Sequence, residues 1–393
     1  MATLVAFSDY WWDWGNLLFR WLHVVAAIAW IGSSFYFIAL DNHLRPPADE
    51  RDAARGIGGE SWEIHGGGFY RIEKFRVAPD ELPEPLHWFK WEAYTTWLSG
   101  FALLVVVFYV RAGTYLVDPD VRDLSSGEAV ALSIAGLALS WVVYDGLCRV
   151  LGDRPLVLAL CVFVFVAVSA WGASELFAGR AAYVQVGAMI GTMMVGNVFF
   201  VIIPAHWELV RAKEAGREPD PAANARGKLR SVHNNYLTLP VVFAMLSNHF
   251  PFTYGHRRGW IVLVVLMATG AWIRHYFNLR HGGRNLWIIP ATAGIAIVAV
   301  AFAIQPRGTV SQASSGASPS FSEVRAIVER RCVKCHSGAS APQGVRLETR
   351  AQIEARAAQI EQQAVVTKAM PLGNATRMTQ KERDTLARWI ASR

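Results

Sequence analysis

PLVLALCVFVFVAVSAWGAS runs from Pro155 to Ser174 without a single charged residue. As a helix, about 20 such residues rise ~30 Å, the thickness of a bilayer's hydrocarbon core. The rest of the chain repeats the theme. Its 393 residues are 53% hydrophobic, with 16 Trp and 20 Phe, and only 18% are charged, against about a quarter in soluble proteins. Apolar runs of spanning length cover about 17–40, 91–110, 126–148, 155–175, 182–204, 233–249, 259–278 and 286–304. The fold class is therefore all-α, a polytopic membrane helix bundle of about eight spans. The run at 233–249 is short and opens on the polar HNNY. No basic leader or small-residue cleavage site precedes the first run, so that span is expected to act as its own signal. Trp11, Trp12, Trp14 and Trp21 cluster at its entry like an interfacial aromatic belt.

Orientation follows from charge. Loops 41–90, 149–154, 205–232 and 279–285 hold 17 Lys and Arg, whereas 111–125, 176–181 and 250–258 hold 5. Positive loops stay in the cytoplasm, so both termini are expected on the periplasmic side of a bacterial inner membrane. The net charge of +7 then reflects topology, and nucleic acid is not an expected partner.

After residue 304 the composition changes. Residues 305–319 are rich in Ser, Gly and Ala and read as a flexible linker, and 320–393 read as an ordinary soluble domain. Within it lies RRCVKCHSGAS, 330–340. C-x-x-C-H is the attachment signature of c-type haem: Cys332 and Cys335 bond to the vinyl groups and His336 ligates the iron. Half a zinc site would need a second ligand pair, and 337–393 contains neither Cys nor His. A redox dithiol would need a βαβ setting, which is not visible. Capping boxes at Ser320–Glu323 and Thr379–Glu382 open two amphipathic helices, the outline of a small cytochrome c domain. Met370, before a proline, is the preferred sixth ligand. Met378 adjoins a helix cap, where packing is its expected job.

Ionisable groups inside spans are functional candidates by default. His23 lies about 9 Å into the first span beside small Ala26 and Ala27, and His249 ends the sixth. A haem b between them competes with plain hydrogen bonding to backbone. His206, His233 and His275 lie at the inner side, with His43 and His281 just beyond. In the long inner loop, His65 precedes three glycines, which equally describe a tight turn. Arg71, Lys74 and Arg230 offer positive charge to an anion. Asn234 and Asn235 present both donors and acceptors. Gly187 and Gly191 form a GxxxG that reads as a close helix contact.

HGGGFY (65–70), HWFKWEAYTTWLSGF (87–101), NVFFVIIPAHWELV (197–210), SVHNNYLTLPVVFAMLSNHFP (231–251) and CVKCH (332–336) together resemble the family of membrane-bound, cytochrome-c-fused urate oxidases (urate hydroxylases). The resemblance covers essentially the whole chain. It implies a urate-oxidising membrane domain over 1–304 and a cytochrome c domain over 320–393. The implied reaction converts urate to 5-hydroxyisourate in purine catabolism, with electrons passing to haem c and on to a cytochrome c or terminal oxidase, without hydrogen peroxide. The family's motif histidines fall on His65, His87, His233 and His249, and its haem ligands on Cys332, Cys335 and His336. His65, Arg71, His233, Asn234 and Asn235 are the candidate catalytic residues, and RWLHVVAAIAWIGSSFYF (20–37) loosely resembles the first helix of haem-b membrane proteins. The rival expectation is a respiratory cytochrome subunit moving electrons between quinol and a c-type partner. That class would carry paired histidines on common helical faces, which the sequence lacks.

Overall fold

The computed structural model describes residues 2–305, 318–338 and 341–393, so most of the expected 305–319 linker lies outside the described residues. The chain begins with α1 (Ala2–His43) and the short α2 (Glu50–Ala54), followed by strands β1 (Ile57–His65) and β2 (Gly68–Phe75). Helices α3 (Trp91–Leu104), α4 (Ala112–Tyr115), α5 (Ser126–Leu151), α6 (Pro155–Ser174), α7 (Gly179–Asn197) and α8 (Ile203–Glu214) come next. Then follow α9 (Pro221–Leu246), α10 (Pro251–Tyr254), α11 (Gly259–His281) and α12 (Ile288–Ala303). The C-terminal unit holds α13 (Phe321–Arg331), α14 (Arg350–Ala355), α15 (Ala357–Ile360) and α16 (Gln380–Ala391).

Among the described residues, six helical runs are long and apolar enough to cross a membrane: Tyr10–His43, Trp91–Tyr109, Ser126–Leu151, Pro155–Ser174, Gly179–Glu214 and Gly259–His281. The other two expected spans are helical as well, but of different character. The 233–249 run is the second half of α9, whose polar first half begins at Pro221 behind an Asp220 cap that accepts from Ala222 and Ala223. Its last residues, Ser247–His249, tighten into a 3-10 turn. The 286–304 run becomes α12, a 16-residue helix.

The all-α reading meets one exception. Residues 57–75 form an antiparallel hairpin, with His65 opposite Gly68 and Trp62 opposite Arg71. Gly66 and Gly67 both sit at positive φ, 57° and 81°, the backbone that a two-residue hairpin turn of matching twist requires. Ion pairs help to hold it in place, alongside the fully buried Ile57. Arg71 engages Asp52, Glu60 and Glu73, and Lys74 reaches Asp41 at the end of α1, 2.5 Å away.

Small residues draw the helices together. A Cβ on Gly187 would lie 3.1 Å from Ala244, so this half of the GxxxG does mark a close α7–α9 contact, while nothing lies within 4 Å of Gly191. Gly270 lets α11 approach Leu239 and Pro240 of α9, where proline has already removed one helical hydrogen bond. Between α5 and α7, Ser133 and Gln185 exchange hydrogen bonds of 2.6 and 2.9 Å. Both polar groups are thereby satisfied in an otherwise apolar core.

The C-terminal unit has its own core, built from Val324, Ile327, Val328, Leu347, Ile353, Leu386 and Trp389. Each large aliphatic there contributes about 1.5–3 kcal/mol by burial. Both expected capping boxes are present, at Ser320 with Glu323 and Thr379 with Glu382, and a third forms at Thr349 with Gln352. The unit seats on the loops poor in Lys and Arg. Asn374 donates to Asp120 at 2.6 Å, and Arg377 lies 3.6 Å from Asp123. Gly373, at φ +52°, passes so close to Thr114 that a Cβ would lie 2.7 Å from its carbonyl oxygen. Gly255 lies under Thr367, and Ala178 bonds to Leu116 at 3.0 Å. All three loops therefore share one end of the bundle with the C-terminal unit.

Candidate functional site

The segment SVHNNY (231–236) lies within α9. Successive residues of a helix are rotated by about 100°, so four neighbouring side chains address different partners. His233 turns to α5, where its Nδ1 meets the Tyr144 hydroxyl at 2.9 Å. Asn234 turns to α7 and donates to the Met194 carbonyl at 3.0 Å. Asn235 turns to α11, and the Tyr236 hydroxyl lies 2.7 Å from His275 Nδ1 on α11.

The His233 side belongs to a closed polar network. Arg230, with only 5% of its side chain exposed, pairs with Asp145 at 2.6 Å and donates to Asn197 Oδ1 at 3.0 Å. A guanidinium only donates, so this bond fixes which way the Asn197 amide points. Its nitrogen then donates to Asn234 Oδ1 at 2.8 Å and to Tyr144 at 2.9 Å. The Tyr144 hydroxyl in turn shares a hydrogen bond with His233 Nδ1.

The Asn235 side is different. Asn235 Oδ1 accepts from Arg274 Nε and Asn278 Nδ2, each at 2.9 Å. The Arg274 guanidinium lies 3.8 Å over the Phe35 ring of α1. Arg274, Asn278 and His281 follow at i, i+4 and i+7, one face of α11. His281 meets His43 of α1 with ring centres 5.2 Å apart, and Asn42 donates to the Asn278 carbonyl at 3.4 Å. Here the bonds run out. Asn235 Nδ2, Arg274 Nη2, Asn278 Oδ1 and His281 Nδ1 are all buried without a protein partner among the described residues. Leaving such groups unpaired costs about 1–3 kcal/mol each, more for a charged one. Two donors, an acceptor and an imidazole around one cation are what a flat anion with carbonyl and N–H edges requires.

Of the sequence candidates, Asn235 thus lies in this pocket, while His233 and Asn234 face the adjoining network. His65 stands exposed at the hairpin tip. Arg71 is committed to its three carboxylates, and its hydrogen bond holds the Asp52 carboxyl below the usual range. His87 is exposed and lies edge-on to Phe89, 4.6 Å between ring centres. Sequence reasoning missed Arg274 and Asn278. The available signal was an arginine inside an apolar span.

His23 Nδ1 donates to the Thr96 carbonyl at 2.9 Å, which makes Nδ1 the protonated nitrogen, since a carbonyl only accepts. Its ring lies on Gly100, where a Cβ would stand 2.8 Å from Cε1. His249 is exposed in the turn after α9. In the C-terminal unit, Cys332 and Cys335 are free thiols. Burial pushes the Cys332 thiol up to about 11. His336 Nδ1 lies 3.0 Å from the Val345 carbonyl, which fixes the ring and leaves Nε2 for a ligand. Met370 packs at the edge of the same apolar cluster as Cys332, and its carbonyl accepts from Arg383 at 2.8 Å. Met378 is 2% exposed inside that cluster. The donor set fits a covalently held haem: two reduced thiols, an oriented imidazole and a thioether.

Fold and site define a bundle of membrane-length helices with a buried polar cluster between α1, α9 and α11. Residues 9–305 match the family model described as urate oxidase N-terminal, and the chain belongs to that family. Membership gives it a urate-related function and makes it an oxidoreductase acting on a small molecule. Searches of curated proteins and of solved structures find no match.

Proposed function

We propose that the chain oxidises urate to 5-hydroxyisourate at the Asn235–Arg274–Asn278 pocket, as a multi-pass inner-membrane protein with eight spans and a periplasmic cytochrome c domain. The observation that carries this reading is the presence of four buried polar atoms without a protein partner, on neighbouring residues of α9 and α11, within the segment matched by the family. Urate is a planar monoanion at neutral pH. Arg274 Nη2 and Asn235 Nδ2 donate to its carbonyl edge, and Asn278 Oδ1 accepts from a ring N–H. His281 Nδ1, beside His43, takes a proton from the attacking water, since imidazole titrates near the working pH. Counted from the neutral molecule, urate and water give neutral 5-hydroxyisourate, two protons and two electrons; the monoanion releases one proton fewer. Oxygen takes no part, and no peroxide forms.

Cys332 and Cys335 would hold haem c covalently and His336 and Met370 would ligate its iron; the group would supply a one-electron acceptor. Onward acceptors are a cytochrome c or a terminal oxidase. Arg274 stands 15 residues beyond the start of α11, about 22 Å along the helix from the end where the C-terminal unit seats. That distance calls for a relay. A haem b would supply such a relay, and His23, whose Nδ1 is tied to Thr96, and His249 are the residues that would hold it. The test is anaerobic mixing of purified full-length protein with urate while the c-type α-band is followed. Urate should reduce the band. A band that dithionite reduces and urate does not refutes the proposal.

A further inference from the structure

A cavity adjoins this polar cluster, one residue along α9 and one turn back along α11. It measures about 230 Å³, and its wall carries His233 and Tyr236 among aliphatic side chains that include Pro240, Val264 and Ala268. Its volume lies below the ~300–1,000 Å³ of drug-sized sites, enough for one substituted ring. Ala159 and Phe163 of α6 stand at its edge and are exposed on that uncharged helix. The cavity is therefore entered from the apolar outer surface of the bundle.

The network behind His233 decides what this cavity offers. Arg230 orients Asn197, Asn197 donates to Tyr144, and the Tyr144 hydroxyl bonds to His233 Nδ1. Nε2 has no protein partner among the described residues. With Tyr144 as the donor to Nδ1, the neutral ring presents Nε2–H, an N–H donor, to the apolar slot. The phenol of Tyr236, anchored on His275 at 2.7 Å, is the second polar group there. A hydrocarbon chain would leave that donor unsatisfied. An aromatic ring bearing carbonyl oxygens and an apolar tail satisfies it.

We propose that this slot binds the head ring of a lipid-soluble quinone, one carbonyl accepting from His233 Nε2–H and the tail leaving past Ala159 into lipid. A quinone takes up two electrons and two protons to become a quinol. Neutral urate and water release that number on forming 5-hydroxyisourate, so the slot gives the oxidation a second exit that does not cross the bundle. The binding claim stands independently of the urate reading, and its test contains no urate.

The test is equilibrium titration of full-length protein in detergent with a decyl-tailed ubiquinone analogue, read by tryptophan quenching. Decylbenzene serves as the ring control without carbonyls. Wild type should saturate at one quinone per chain and bind decylbenzene at least tenfold more weakly. Ala159→Trp, at an exposed position that covers the mouth, should weaken quinone binding at least tenfold. His233→Leu should weaken it about three- to tenfold, the worth of one neutral hydrogen bond, with Tm confirming that both variants fold. Absence of saturable binding, equal affinity for decylbenzene, or affinity unchanged in both variants would overturn the proposal. Equal affinity for decylbenzene would make the slot an acyl-chain groove.

Discussion

Arg274→Met separates binding from folding. The substitution keeps an unbranched chain of similar reach and removes the charge. A hydrogen bond to a charged group is worth about 1.5–3 kcal/mol. Losing the bond from Nη2 should therefore raise the urate dissociation constant about 10- to 150-fold. Stability should respond differently. Nη2 has no protein partner; the Nε bond to Asn235 Oδ1 is lost, but that oxygen keeps its bond from Asn278 at 2.9 Å. The variant loses the contact with Phe35 at 3.8 Å, worth up to about 2 kcal/mol when desolvated. It also loses the desolvation penalty of a buried guanidinium, and apolar replacement of buried charges is often neutral or stabilising. Tm should stay within about 4 °C of wild type. Anaerobic calorimetric titration with urate and thermal unfolding in the same detergent measure both quantities. Unchanged urate affinity refutes the pocket assignment. A Tm drop of more than ~10 °C alongside weakened binding would instead make Arg274 a helix-packing residue.

Cys332→Ala with Cys335→Ala should abolish the covalent haem band on denaturing gels and cut urate-driven reduction of an external acceptor at least tenfold; turnover at the wild-type rate removes the C-terminal unit from the electron path. Gly373→Val should unseat that unit, because a Cβ there meets the Thr114 carbonyl oxygen at 2.7 Å in a left-handed backbone. Urate affinity should be unchanged while urate-driven reduction of the c-type band slows, and unchanged kinetics would show that docking is not needed. Gly100→Ala should push the His23 ring from its seat on Thr96 and lower stability by about 1–3 kcal/mol; a wild-type Tm would mean the ring is free to move. The Arg71 hydrogen bond depresses the Asp52 carboxyl, so the pair's contribution is complete above about pH 4, the unfolded carboxylate value. It is lost as pH falls below that value through the folded one. In Arg71→Met the depression ends, and hydrogen exchange over 57–75 should accelerate at a higher pH than in wild type; identical pH profiles would show that the pair does not hold the hairpin.

Legibility in the sequence followed the range of the interactions. The apolar spans were readable because hydrocarbon thickness imposes a length on each one separately. The boxes at Ser320 and Thr379 were readable because a cap bonds to backbone three residues away. The hairpin is half readable: the glycines after His65 fit a turn and a close approach to a ligand equally, and strands tied by Arg71 and its carboxylates leave no apolar alternation to notice. The full length of α9 was hidden because its first half is polar and rests on α7 and α8 rather than on a hydrophobic stripe. Least visible was the pocket itself. Asn235 drew attention by its chemistry, whereas Arg274 and Asn278 lie some forty residues away, and only the packing of α9 on α11 brings them to it.

The turn 233–236 has a mechanical consequence. Through it, α5, α7 and α11 are geared to a single short piece of backbone, so a small roll there shifts several remote contacts together. Substitutions at Tyr144 and Arg274, which share no bond, should then combine non-additively in a double-mutant cycle. Effects measured one residue at a time would describe the gear train poorly.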